Sequence, residues 1–287
     1  MEEHGEGEFT ANDGGYYVGK WKDGRRDGFG FSVAPHEVVK CGVWAKGRFR
    51  GEQMLYHSER IYGIDISKYQ HVHKRRVYGI DWRNLRITRL GHTADRNALG
   101  AVDYPVSFVY IKSTEGLTVF NPYYTRDVRA ARRYGFPVGA YHFFSTRPAM
   151  RQADYFLKKS RLQKGDLPPM LDVELSDRRI AAMGGRDVLF REMLVWLKEI
   201  GRRSGTMPII YVSQDFVNRY MPFAPEALKA YPVWVARYGE YKPYVHLLYW
   251  QLSPDGRVRG IQGDVDIDVF NGSEEQFKRY LRTQTVK

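Results

Sequence analysis

From about Arg60 onward the chain alternates short apolar, β-branched runs with segments of helical character, and this alternation constrains the fold more than any other feature. The runs read as strands at Tyr62–Ser67, Phe108–Ser113, Val138–Phe144, Met170–Glu174, Pro208–Ser213, Pro232–Tyr238, Leu247–Leu252 and Val265–Phe270. Helical segments fall at Pro122–Tyr134, Ala149–Lys159 and Asp187–Arg203. In the last of these, Met193, Leu194, Leu197 and Ile200 form an apolar stripe at helical spacing. Strands alternating with helices imply parallel pairing. Near-continuous apolar strands imply burial on both faces, and eight such strands in one domain imply a barrel. The last three runs stand too close together for full helices. The expected fold is therefore α/β, an irregular TIM-like (β/α)5(β)3 barrel, regular in its first five units and tighter at the end.

In such a barrel, chemistry collects at the C-terminal ends of the strands. Those ends carry Asp65, then Asp172 and Glu174 in Met170-Leu-Asp-Val-Glu174, then Asp266 in Val265-Asp-Ile-Asp268-Val. Acids are poor strand formers and are rarely buried without a reason. Asp172 and Glu174 share one strand face, with Cα atoms roughly 6–7 Å apart. Two carboxylates that close in a partly desolvated cleft do not both ionise easily, so one keeps its proton near neutral pH. A protonated acid beside an ionised one is what glycosidic cleavage needs. Asp264, Asp266, Asp268 and Glu275 echo a calcium-loop spacing. Val269 stands where that loop needs glycine, and Val265, Ile267 and Phe270 suit a strand, so no metal is expected there.

At these residues the sequence resembles the family 25 glycoside hydrolases, lysozymes of bacterial and phage type. The ordered phrases are Gly63-Ile-Asp65-Ile-Ser67-Lys-Tyr-Gln70, Ile80-Asp81-Trp82, Phe108-Val-Tyr-Ile-Lys112-Ser-Thr114-Glu115-Gly116 and Gly139-Ala-Tyr141-His142-Phe143. They continue through Leu171-Asp172-Val-Glu174, Tyr211, Trp234-Val-Ala236-Arg-Tyr238, Trp250-Gln251 and Val265-Asp266-Ile. The resemblance spans nearly all of residues 61–272. It implies an irregular eight-stranded barrel that cleaves the β-1,4 bond between N-acetylmuramic acid and N-acetylglucosamine in peptidoglycan. It implies Glu174 as general acid, with Asp172 orienting the N-acetyl group or stabilising the charge formed when that group attacks the anomeric carbon. Asp65 and Asp266 complete the acidic cluster. Tyr141, Tyr211, Trp234, Gln251 and Lys112 are carried over as substrate-binding, with Trp234 presenting a flat face to a sugar ring. Attack by the N-acetyl group and by a carboxylate both retain configuration, whereas attack by water inverts it; retention is the expectation. Asp268 departs from the family's frequent Asn and sets a further acid beside Asp266. The long stretch Arg86–Tyr104 is expected to edge the groove.

The front of the chain carries a repeat. Gly19, Trp21, Gly24 and Gly28 match Gly42, Trp44, Gly47 and Gly51 at one constant offset, and a further step back lands on Gly5 and Gly7. Each unit reads as a short hairpin with glycines in the turns. The pattern resembles membrane occupation and recognition nexus (MORN) repeats. The expected division is a repeat module over residues 1–58 and a catalytic barrel over residues 59–287. The module serves as a β-appendage or as a docking site for lipid or protein.

The formal net charge is +12, which suits an anionic polymer of the cell wall and predicts wall binding that weakens with salt. There is no compact Lys/Arg stripe, so nucleic acid is not expected as a partner; Lys74-Arg75-Arg76 reads as a solvated loop. Cys41 is the single cysteine and excludes an internal disulfide or a cysteine-based zinc site. His71 and His73 fall in a loop without a third ligand spacing, and His142 reads as a groove or core residue. No Gly-rich phosphate loop precedes a helix, so no cofactor is expected. Met1 to Phe9 is acidic and Gly-rich, unlike a secretory signal, and no apolar stretch reaches the ~20 residues needed to cross a bilayer. The resulting expectation is a monomer acting on peptidoglycan glycan strands outside the cytoplasm. The alternative reading is a non-catalytic wall binder or a docking scaffold built on the repeats.

Overall fold

Parallel strands cannot be joined by a tight turn, so each crossover must leave the sheet and return. That requirement shapes the main body of the computed structural model, which describes residues 5–12, 16–33, 40–52, 60–73, 75–93, 96–98, 100–236 and 246–287. The barrel strands are β1 (Tyr62–Ile66), β2 (Val109–Glu115), β3 (Val138–Phe143), β4 (Met170–Val173), β5 (Ile209–Ser213), β6 (Pro232–Ala236), β7 (His246–Arg259) and β8 (Val265–Phe270). β1 to β7 pair in parallel in chain order. β8 runs antiparallel to both β7 and β1 and closes the barrel.

Helix α1 (Tyr124–Arg133) carries the chain from β2 to β3, and α2 (Ala149–Ser160) from β3 to β4. Next, α3 (Asp177–Ala182) and α4 (Arg186–Ser204) lead to β5, then α5 (Gln214–Arg219) and α6 (Glu226–Lys229) to β6. The three expected helices are present, and so are the eight strands. The residues following Ala236 in the expected sixth strand, and the boundary at residues 58 and 59, lie outside the described residues.

The first unit is less regular than expected. Among the described residues no α-helix joins β1 to β2; two 3-10 turns and short strands do so. The reason is local. Leu85 and Ile87 alternate at period two, and both are buried. The strand Arg86–Arg89 pairs with the far end of β7 at Arg257–Arg259, so β7 continues well past Leu252. Arg86–Arg89, paired on its other side with Tyr104–Pro105, therefore extends the barrel wall beside β7.

Side chains divide by strand parity. Tyr62, Ile64 and Ile66 of β1 point outward into the layer shared with the helices. Phe108, Tyr110, Met170, Ile209, Trp234 and Tyr249 fill the barrel interior. Helix α7 (Glu274–Thr283), capped by Ser273 and Gln276, lays Phe277 against Phe108 with ring centroids 5.9 Å apart and so closes the bottom. Gly63 makes room for that packing, because a Cβ there would stand 2.2 Å from Phe108 Cε2. Gly63→Ala is expected to lower stability by about 2–3 kcal/mol through overpacking, read as a lower urea midpoint. An unchanged midpoint would show that Phe108 has room to shift.

The front segment forms a five-stranded antiparallel meander of Gly5–Thr10, Tyr16–Lys22, Arg25–Val33, Lys40–Ala45 and Arg48–Glu52. Its two equivalent turns, Asp23-Gly24 and Lys46-Gly47, both have positive φ at each residue (51° and 66°, 50° and 79°), the geometry that matches strand twist in two-residue hairpins. Gly30 serves another purpose: a Cβ would stand 2.3 Å from the hydroxyl of the fully buried Tyr17. The sheet meets the barrel through Phe29, which packs against the outer core. The Arg60 guanidinium lies over both Phe29 (4.9 Å) and Trp250 of β7 (5.6 Å).

Candidate active site

β1 and β4 deliver Asp65, Asp172 and Glu174 at their C-terminal ends, and β8, running the other way, delivers acids from its N-terminal half. Asp266 is the direct cross-strand partner of Asp65, and Asp268 pairs with Gly63 one layer deeper. On the other side, Asp172 pairs with Tyr211 of β5 and with Phe143 of β3. Gln251 of β7 pairs with Asp268 and with Ala236 of β6. The barrel mouth is thus lined by acids and their hydrogen-bonding partners, above an apolar plug.

Gln251 donates through Nε2 to Asp65 Oδ2 at 3.5 Å, and Tyr211 donates its hydroxyl to Gln251 Oε1 at 3.1 Å. Tyr141 also hydrogen-bonds Asp65. Lys112 Nζ lies 2.8 Å from Glu115 Oε2 and 4.4 Å from the Phe143 ring centroid, and its charge acts on Asp172. Tyr141, Tyr211, Gln251 and Lys112 are therefore brought to the acids.

Trp234 is not brought to the mouth. It is fully buried in the barrel interior against Tyr110 (5.0 Å) and Tyr249 (4.7 Å), so no face of its indole is open to a sugar. Its neighbour Tyr211 stands at the same register position on β5 yet reaches the mouth. Strand parity places both side chains inward; packing sends one down and the other up.

Burial and mutual repulsion set the protonation of the cluster. Burial is the largest cause at each buried acid. It pushes Asp65 up to about 7, with Glu174 adding to the rise and the Gln251 and Tyr141 hydrogen bonds opposing it. Asp266 is pushed up to about 9 by burial and then by Asp65 and Glu174. Asp172 is held well above the carboxylate range by burial, by Glu174 and by Asp65, and a hydrogen bond to Glu174 further favours its protonated form. Asp268 is raised strongly by burial and by Asp65 and Asp266. The departure from Asn thus adds a neutral acid at neutral pH. Glu174 alone of these groups is exposed, standing just beyond the end of β4.

His142 is a core residue. It is fully buried, bonded to Thr114 Oγ1 (2.7 Å) and Gln152 Oε1 (3.0 Å), and burial pushes it down to about 4. The segment that echoed a calcium loop is strand β8. Among the described residues no group of three or more His, Cys, Asp or Glu is arranged to hold a metal ion. The spacing of Ser67 and Gln70 marks a capped turn directly after β1, and the capping box is formed there.

The family model described as glycosyl hydrolases family 25 matches residues 64–261, most of the barrel. The chain belongs to this family. It is a glycoside hydrolase. The uncharacterized protein YegX of Escherichia coli (strain K12) is 33% identical over 228 residues, covering 78% of this chain and 74% of that protein. Lysozyme M1 of Streptomyces globisporus is 28% identical over 229 residues, covering 74% of this chain and 68% of that protein. Among solved structures, the bacterial lysozyme from Streptomyces coelicolor superposes with a TM-score of 0.61 at 26% identity, covering 77% of this chain and 96% of that one. The family 25 match falls on the strands that bear Asp65, Asp172 and Glu174.

Proposed function

We propose that this family 25 chain is a lysozyme, an N-acetylmuramidase that hydrolyses the β-1,4 bond between N-acetylmuramic acid and N-acetylglucosamine in peptidoglycan. The observation that carries the reading is the exposed Glu174 beside the buried, proton-holding Asp172 at the barrel mouth. Asp172 keeps its proton because it is buried and lies against Glu174. A sugar bound over Glu174 sets the glycosidic oxygen beside it, and the hydrogen bond between the two acids passes the Asp172 proton to Glu174. Glu174 then protonates the glycosidic oxygen as the C–O bond breaks. Asp172, now ionised, steadies the acetamido group as its carbonyl oxygen attacks the anomeric carbon. Water then opens this intermediate, giving its proton to the Glu174 carboxylate, and configuration is retained.

Asp65 and Asp266 set the charge of the cleft, with Tyr141, Tyr211, Gln251 and Lys112 as substrate contacts. The chain acts as a monomer on wall outside the cytoplasm, held there by its basic charge. Among the described residues no helix is long and apolar enough to cross a membrane. The front sheet is taken as a MORN-type module, docked on the barrel through Phe29 and Arg60.

The test is digestion of purified insoluble peptidoglycan, with released fragments reduced by borohydride and identified by mass spectrometry. Reduced muramic-acid ends are expected. Reduced glucosamine ends would assign the other glycosidic bond. Wall retention without any released fragment would favour the non-catalytic binder.

A further inference from the structure

The loop after β1 holds a turn, Lys68–Gln70, that is fastened on several sides. Its capping box ties Ser67 to Gln70, with the Ser67 N–H donating to Gln70 Oε1 at 2.7 Å. Gln70 Nε2 donates across to the Asp264 carbonyl at 3.1 Å, two residues before Asp266. The next residue, His71, is fully buried, lies 2.5 Å from Asp127 Oδ2 on α1, and stacks on Tyr123 at 4.2 Å. The turn therefore bridges the end of β1 that carries Asp65 and the start of β8 that carries Asp266, and its own hydrogen bonds hold it in place.

Within this held turn, Tyr69 is left outward, 68% exposed. Buried tyrosines fill the barrel below, whereas this ring meets solvent at the rim of the acidic mouth. Lys68 Nζ sits 5.4 Å from the ring centroid on one side. The exposed Val72 and Val77, cross-strand partners in the short hairpin that follows, add apolar surface close by in sequence. A rigid aromatic that loses little freedom on binding is suited to stacking on the apolar face of a pyranose ring.

We infer that Tyr69 is a sugar-stacking platform that holds a residue of the glycan strand beside the acid cluster, outside the bond that is cut. This rests on the muramidase reading above. Because Tyr69 touches bound strand and not the reacting atoms, its loss should appear in binding. On soluble glycan strands, Tyr69→Ala is expected to raise KM about ten-fold with kcat within about two-fold, since uniform binding is what is lost. Tyr69→Phe keeps the ring and should behave as wild type. The thermal midpoints should agree, because the side chain is exposed.

A Tyr69→Ala KM equal to wild type would overturn the inference. So would an equal loss in Tyr69→Phe, which would assign the effect to the hydroxyl. The same comparison in a Glu174→Gln background, read as retention on insoluble peptidoglycan, scores the platform without turnover: retention should fall with Tyr69→Ala and persist with Tyr69→Phe. Wild type that releases no fragments overturns the muramidase reading, and this retention arm then still decides on Tyr69.

Discussion

Glu174→Gln is expected to abolish peptidoglycan cleavage, lowering the rate by about 10³-fold or more, while the variant still sediments with insoluble wall. A positioned general acid contributes typically 10²–10⁴-fold. The amide keeps the shape of the side chain but has no proton to give. Geometry singles out Glu174, since Asp65, Asp172 and Asp268 are buried and Asp266 is partly covered, whereas Glu174 stands exposed where a glycosidic oxygen can reach it. Asp172→Asn should fall by roughly 10²-fold, because it removes both the store of the proton and the carboxylate that steadies the N-acetyl group. The assay is release of reducible muramic-acid ends per unit time. If Glu174→Gln keeps more than a tenth of wild-type rate, another group supplies the proton. If Asp172→Asn is unaffected, Asp172 is not the source of that proton.

The second large effect is a fall in stability as pH rises above about 6.5, and Asp268→Asn should remove part of it. Asp65, Asp172, Asp266 and Asp268 all have folded-state values raised above the unfolded value near 4. A raised acid contributes stability that is complete below its unfolded value and is lost as pH climbs through its folded value. In this window the folded state binds more protons than the unfolded chain, so the slope is negative. His142 acts in the opposite sense: burial lowers it to about 4, so its contribution is lost as pH falls below about 6.5. Above that point it no longer masks the acids.

Between pH 6.5 and 9, each acid still protonated in the fold removes about 1.4 kcal/mol per pH unit. Asp268 is fully buried and held well above the carboxylate range, so Asn in its place should gain on wild type as pH rises through the window. Urea unfolding at pH 6.5, 7.5 and 8.5 measures it. The two stability curves should diverge as pH rises. Parallel curves would mean that Asp268 is ionised inside the barrel.

Much of this was legible before any coordinates. The strand at Val265–Phe270 was readable to the residue, because apolar and acidic positions alternate there at period two. Helices α1, α2 and α4 were readable to within about two residues from their apolar spacing. The short helices α3, α5 and α6 were not, since a few residues carry too little periodicity to stand out. The turn closed by the Ser67 and Gln70 capping box was not anticipated, and nothing local in it marks Tyr69 as the side chain left outside.

The sequence by itself determined the alternation that forces a barrel, the strand ends on which the acids sit, and the pairing of Asp172 with Glu174 on one face. These depend only on residues close along the chain. The tertiary structure decided what depends on neighbours from other strands. It set how high each inward side chain stands, so that Tyr211 reaches the mouth while Trp234 is sealed beneath it. It extended β7 to meet Arg86–Arg89, and it placed Arg60 between Phe29 and Trp250. It also decided which acids keep their protons. Burial is a property of everything packed around a side chain, and no spacing along a single strand encodes that.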